Sequence, residues 1–408
     1  MNLEKKHLLN YSILIPYLIM SVLGLIVIYS TTSASLIQYG MNPFRSVINQ
    51  GLFWIVSLVA IAFIYKLRLD FLKKEKLLTL VIFIEIILLI IAKFFTQEVN
   101  GANGWIVLGP LSFQPAEYLK VIIVWMMALT FSKWQEDIKT YDYQAILRGH
   151  LFPRKFNDWR VYAIILILLV AAQPDLGNAS IIVLTAITMF LVSGVGYRWF
   201  SAVLTLIVGV SGAFIGLTAL VGVDNMAKVP VFGYVAKRFS AYFNPFKDLT
   251  DSGHQLANSY YAMSNGGWFG RGLGNSIEKL GYLPESTTDF VFSIVIEELG
   301  LIGAVFILAL VFFLILRIML VGIKAKDPFN SMMALGVGSM MLMQVFVNIG
   351  GISGVIPSTG VTFPFLSQGG NSLLVLSIAI AFVLNIDANE KREEILREAQ
   401  VLMDTDQV

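Results

Sequence analysis

Asp289 lies in GYLPESTTDFVF, four residues after Glu285 and directly before a long apolar run. A carboxylate there can take a proton from a hydroxyl as a general base, or simply complement the positive end of a helix dipole. Pro284 should end an extended path, and Ser286, Thr287 and Thr288 can cap the helix, which predicts Asp289 in the first turn at a water boundary. Glu297 and Glu298 follow about two turns deeper, where adjacent carboxylates must be neutralised by protonation or by a cation such as Lys120. In FQPAEYLK, Glu117 and Lys120 are three residues apart, on one helix face, and can form an ion pair. Asp175, in QPDLG, can cap the helix after it or offer a carboxylate to a divalent cation, a role open to Asp289 as well. Glu85, inside IFIEIILL, has no evident partner in the sequence.

The elements that carry these groups are membrane spans. Apolar stretches near 12–30, 50–66, 77–95, 115–132, 160–173, 177–195, 199–222, 289–321, 329–350 and 370–387 approach or exceed the ~20 residues needed to cross hydrocarbon as a helix. With 57% hydrophobic and 14% charged residues, the expected fold is all-α, a polytopic integral membrane protein of about ten transmembrane helices. A single transmembrane domain, 1–387, should precede a charged, helical tail at 388–408. The proline of QPDLG separates the fifth and sixth spans so briefly that they should form a tight helical hairpin. Lys5 and Lys6 precede the first span, which reads as an uncleaved anchor rather than a signal peptide.

Orientation follows from the basic residues. With the N-terminus inside, 20 of the 29 Lys and Arg fall on cytoplasmic segments and seven outside, while Lys93 and Lys120 lie within spans. Both termini are then cytoplasmic. The chemistry-bearing residues collect on the extracytoplasmic side, next to a large loop between spans seven and eight at about 223–288. That loop holds Lys237, Arg238, Arg271 and Lys279, and together with Arg45 of the first outer loop they could meet an anionic substrate. It also holds SNGGWFGRGLGNS, whose glycines would let backbone approach a phosphate or sugar closely. The segment NIGGISGVIPSTGVTFPFLSQGGNS at 348–372 has no charge but many glycines and hydroxyls, and such backbone at membrane depth must be buried in protein or line a cavity.

Several classes are excluded. The chain has no cysteine for a disulfide, a thiolate nucleophile or a zinc-thiolate site, its three histidines are scattered, and it has no Walker pattern. A net charge of +2 gives no footprint for nucleic acid.

Taken in order, NGANGWI (100–106), FQPAEYLK (113–120), QPDLG (173–177), RFSAYFNPF (238–246), the glycine loop, YLPESTTDFVF with EELG, and IPSTGVTFPFLSQGGNS resemble the FtsW and RodA group of peptidoglycan glycosyltransferases over nearly the whole chain. The stretch GNSIEKLGYLPESTTDF looks more like the division branch than the elongation branch. Two positions depart from the family pattern: Asn103-Gly104 replaces a common basic pair, and SQGGNS replaces SYGGSS.

The resemblance implies a polymerase that joins lipid II units into glycan strands on the extracytoplasmic face during division, releasing undecaprenyl diphosphate. It implies Asp289 as general base, with Glu117, Lys120, Asp175 and Glu297 in support. Substrate contacts are expected from Arg45, Lys237, Arg238, Arg271, Lys279, Glu285, Ser367 and Gln368, and a divalent cation (Mg or Mn) could be held by Asp289 or Asp175, with no organic cofactor. Implied partners are a class B penicillin-binding protein transpeptidase and other division-complex membrane proteins, in the bacterial cell membrane at the septum. The competing readings are a lipid II flippase, which would spread polar residues along the whole crossing path, an elongation-type polymerase, and a scaffold indifferent to loss of Asp289.

Overall fold

The computed structural model describes residues 5–96, 104–108, 111–142, 144, 159–222, 238–239, 241–246 and 252–405. Its helices are α1 (Tyr11–Gln38), α2 (Arg45–Lys66), α3 (Glu75–Phe94), α4 (Pro115–Lys133), α5 (Gln135–Tyr141), α6 (Trp159–Ala171), α7 (Leu176–Val192), α8 (Arg198–Val221), α9 (Ser252–Gly266), α10 (Val291–Lys324), α11 (Pro328–Ile352) and α12 (Gly370–Thr405). Every predicted span corresponds to one of these helices. Seven are long and apolar enough to cross a membrane, and α6, α7 and the start of α8 are shorter apolar pieces. In hydrocarbon only a helix satisfies its own backbone, so the polytopic all-α architecture follows from composition. α4, α11 and α12 are mostly buried and form the centre of the bundle, while α2 and α3 turn most of their apolar surface outward.

Local chemistry sets the ends. Asp175 caps α7 by accepting from Asn178 N at 3.0 Å, and Asp327 caps α11 in the same way through Asn330 N at 3.0 Å. Pro115 and Pro328 occupy first-turn positions of α4 and α11, where a missing N–H costs nothing. α6 and α7 form the expected hairpin. A two-stranded hairpin, β1 (Ile106–Leu108) and β2 (Leu111–Phe113), is tied to the start of α12 by Asn371 Nδ2 donating to Ser112 O at 2.7 Å.

One end of the bundle gathers the basic groups: Lys5 donates to Asn385 at 2.7 Å, Lys73 pairs with Asp327 at 2.7 Å, and Lys133 pairs with Glu75. The positive-inside rule makes this the cytoplasmic end. Asp175 and Asp289 lie at the other end, referred to below as the outer end.

The outer end differs from the sequence expectation in two respects. α10 starts at Val291, so Asp289 precedes the helix instead of occupying its first turn. Ser286 to Thr288 do not cap it, because this stretch closes on itself: Thr288 N and Phe290 N donate to Glu285 O at 3.3 and 3.1 Å. Second, the glycine loop is not free to lie along a phosphate. α10 is broken at Gly300 (φ 71°), and the loop is spliced into the gap. Arg271 N and Gly272 N donate to the Glu297 and Glu298 carbonyls, both at 2.9 Å, and Leu301 N and Ile302 N donate to the carbonyls of Gly267 and Trp268 at 2.9 and 3.2 Å. The approach is so close that a Cβ on Gly300 would lie 2.4 Å from Trp268 O and Gly270 N.

A buried clasp locks this splice to α1. Lys279 Nζ pairs with Glu298 at 2.6 Å and donates to Ser30 Oγ at 3.1 Å, while Ser30 Oγ donates to the same carboxylate at 2.7 Å. Glu297 accepts from Ile277 N at 3.0 Å and from Ser276 Oγ. The cation that answers Glu298 is therefore Lys279 and not Lys120, while Glu297 is held by hydrogen bonds alone among the described residues.

Two outcomes test this arrangement. Gly300→Ala should lose at least about 2 kcal/mol, from the left-handed backbone and the backbone clash, whereas Gly51→Ala, with open space around it, should unfold at the parent temperature in detergent. Lys279→Met alone should cost about 3–5 kcal/mol by leaving a buried carboxylate uncompensated, and adding Glu298→Gln should recover most of that loss in the same unfolding measurement.

Candidate active site

Asp289 reaches its place because its neighbours are fastened on both sides. Gln368 N donates to Thr287 O at 2.8 Å, Ser367 Oγ donates to Thr288 O at 2.6 Å, and Asn348 Nδ2 donates to Asp289 O at 2.7 Å. Phe292, at the start of α10, stacks on Phe363 with ring centroids 4.7 Å apart. The carboxyl group is thus aimed from a turn held by α11 and the 353–369 segment, while its oxygens are left outside the backbone network.

Those oxygens line a cleft with Arg238, Gln255, Asn348, Gly351, Ser358, Thr359, Gly360 and Val361 among its walls. The predicted cavity-wall segment, 348–372, supplies all of these except Arg238 and Gln255. Arg238 Nη1 donates to Ser358 O, which fixes the guanidinium on the rim. Gly360 (φ 79°) is flanked by both charges: a Cβ there would lie 3.2 Å from Asp289 Oδ2 and 3.4 Å from Arg238 Nη2. A proton acceptor and a cation therefore face the same small space.

The electrostatics favour a poised carboxyl. Burial and the neighbouring Glu285 raise the Asp289 pKa to about 7, against the opposing pull of Arg238. By accessible surface Asp289 is only half-buried, so water and substrate can reach it. Asp175 is also raised, first by burial, with its hydrogen bonds to Asn178 working the other way.

Asp175 is not a wall of the cleft but lies near enough for its charge to act on Asp289. Its oxygens accept from Asn178 N at 3.0 Å, Asn178 Nδ2 at 2.8 Å and Gln114 Nε2 at 3.0 Å. Gly177, in the same QPDLG turn, packs on the cleft segment so closely that a Cβ would lie 2.7 Å from Thr359 O. Glu117 and Lys120 form a buried ion pair at 2.9 Å, near enough to Asp175 for both charges to act on it.

Not every expected contact converges. Lys279 is enclosed in the clasp, and Ser367 is buried, accepting from Phe363 N at 2.7 Å while donating to Thr288 O, so neither has a free polar group for substrate. Gln368 acts through its backbone N–H. Glu285 accepts from Thr288 Oγ1 at 2.5 Å and bears on Asp289 by charge. Arg45 and Arg271 are exposed and are not among the cleft walls, with Arg45 against Met41 Sδ at 3.3 Å and Arg271 Nε against Asn275 O at 3.4 Å. Lys237 and residues 100–103 lie outside the described residues. Glu85 is buried in α3 with Oε1 lacking a hydrogen-bond partner among the described residues, and nothing in the structure explains it. Asn348, Gln255 and Thr359 were missed as individual site residues. The available signal was polar side chains inside or next to otherwise apolar, glycine-rich backbone.

As for a metal, no three His, Asp or Glu side chains gather among the described residues. Asp289 retains unused lone pairs, whereas the Asp175 oxygens already accept three hydrogen bonds.

A sequence profile of cell cycle proteins covering FtsW, RodA and SpoVE matches residues 11–392. The chain is 50% identical over 403 residues to the probable peptidoglycan glycosyltransferase FtsW of Lactococcus lactis subsp. lactis (strain IL1403), spanning 97% of this chain and 96% of that relative. Stage V sporulation protein E of Bacillus subtilis (strain 168) is 34% identical over 369 residues, 90% of this chain and 94% of its own. Among solved structures, a chain of a peptidoglycan synthase complex has a TM-score of 0.71 at 22% identity, covering 94% of this chain and 98% of that one. RodA of Thermus thermophilus has a TM-score of 0.61 at 20% identity over 94% of this chain and 97% of its own. These two likenesses establish a common fold, and the extent and identity of the sequence matches establish descent: the chain belongs to the FtsW/RodA/SpoVE family of cell cycle proteins.

Proposed function

We propose that the protein is a peptidoglycan glycosyltransferase that polymerises lipid II at the outer face of the cell membrane during septal wall synthesis. The observation that carries this reading is the pairing of the Asp289 carboxyl with the Arg238 guanidinium across Gly360 in an accessible cleft. Asp289 takes the proton of the acceptor hydroxyl as that oxygen attacks the anomeric carbon of the donor. The new glycosidic C–O bond forms as the bond to the diphosphate breaks, and the diphosphate leaves with the electron pair. Arg238 meets the charge that develops on it.

A divalent cation, Mg or Mn, fits best as a companion of the substrate diphosphate. Among the described cleft residues Asp289 is the carboxylate with lone pairs to offer it, and such ions keep several waters. It would add positive charge at the leaving group.

A flippase is less well supported. Glu297 and Glu298, the deeper carboxylates that would mark a transport path, are satisfied within the protein by Lys279 and by the Ser276–Ile277 turn. The fold shared with a chain of a synthase complex supports a class B penicillin-binding protein as partner, with other division membrane proteins around it.

Purified protein, alone and with its transpeptidase, should convert labelled lipid II into glycan. Asp289→Asn should remain folded and lose at least about 10²-fold in rate, the scale of general base catalysis. Parental polymerisation by that variant refutes the assignment of Asp289, and lipid II crossing liposomes without polymer would favour transport. The pH profile gives a second check. A base with a pKa of about 7 is protonated and idle below it, so the rate should fall as pH drops through 7. Glu285→Gln should move that limb to lower pH, and Arg238→Ala should move it higher.

A further inference from the structure

Asn348 is 3% exposed near the outer end of α11, and both of its amide hydrogens are engaged. Nδ2 donates to Asp289 O at 2.7 Å and to Val361 O at 2.6 Å. The opposite atom of the same side chain, Oδ1, has no hydrogen-bond partner among the described residues and is shut off from bulk water. Thr359 Oγ1 is in the same condition. Both residues are walls of the cleft that holds the Asp289 carboxyl. An orphaned polar atom is unfavourable when buried. Both atoms therefore keep hydrogen-bonding capacity for a group that enters the cleft.

Their chemistry narrows that occupant. With both N–H bonds used, Asn348 can only accept through Oδ1, whereas the Thr359 hydroxyl can donate. One acceptor and one donor match the N–H and C=O of a secondary amide, while the Asp289 carboxylate beside them matches a hydroxyl that is losing a proton.

We propose that Asn348 Oδ1 and Thr359 Oγ1 form a specificity subsite that reads the N-acetyl amide of the sugar offering the attacking hydroxyl. This rests on the glycosyltransferase reading and deepens it. Asn348 has a second task, since the same side chain holds the backbone of Asp289 against the cleft segment. It couples recognition of the amide to the position of the base.

The test uses the full-length protein with two substrates: lipid II, and an analogue in which a hydroxyl replaces the acetamido group of the acceptor sugar. The parent should prefer the natural substrate by at least about tenfold in kcat/KM, the discrimination expected when polar groups of a site are left unpaired. Thr359→Ala should remove most of that preference by slowing the natural substrate and leaving the analogue nearly unchanged, and Thr359→Ser should restore it. Asn348→Ala should erase the preference and also lower kcat on both substrates, through the loosened base. The proposal is overturned if the parent treats both substrates alike, or if Thr359→Ala slows them in equal proportion, as a merely structural residue would. A parent that polymerises neither substrate removes the glycosyltransferase reading itself, and the subsite with it.

Discussion

The architecture of the outer end depends on backbone hydrogen bonds across the break in α10. A helix interrupted beside hydrocarbon leaves N–H and C=O groups that no lipid can satisfy. Here the glycine loop supplies the missing partners, its N–H groups meeting the Glu297 and Glu298 carbonyls and its own carbonyls meeting Leu301 N and Ile302 N. Only glycine fits where the two backbones touch, which is why Gly266, Gly270 and Gly300 would each bring a Cβ within 2.4 Å of opposing backbone. The clasp of Lys279, Glu298 and Ser30 then holds the seam from the side.

From that seam the chain returns to the start of α10, and this return carries Asp289. Two separate parts of the protein fasten the turn that carries it, α11 through Asn348 and the 353–369 segment through Ser367 and Gln368, and the α7 entry packs on that segment in turn through Gly177. Most buried charges nearby are answered, Glu298 by Lys279 and Glu117 by Lys120. Asp289 differs, since it is water-accessible, raised toward neutrality and, among the described residues, faced by a cation across open space. Such a site keeps its strongest interactions for what enters it.

Much of this was legible in the chain. Apolar run lengths gave the ten spans because hydrocarbon thickness sets a minimum length, and the basic residues distinguish the two ends. The Glu117–Lys120 pair and the Asp175 cap are local, coded by spacings of three residues. Asp289 stood out as a carboxylate before an apolar run. What spacing could not reveal was long-range pairing. Lys279 reads as an outer-loop cation until folding brings it to Glu298, and Ser367 reads as a contact residue until its hydroxyl meets the Thr288 carbonyl. Asn348 is one amide in an apolar helix, and its importance lies in two carbonyls, 59 and 13 residues away. The glycine run was read as ligand-facing because the sequence does not distinguish a backbone that hugs a phosphate from one that hugs a broken helix.

The break at Gly300 also divides α10 by environment. From Val291 to Gly300 nearly every side chain is packed in protein, whereas Leu301, Ile302, Val305 and Phe306 are turned outward. Ten residues of helix rise about 15 Å, more than the ~5–7 Å depth of a headgroup layer. The first part of α10 is therefore a protein-packed pedestal that carries Asp289 at its outer end. The distance between the carboxyl and the break is thereby set by helix geometry and by the packing around it, and not by a flexible loop.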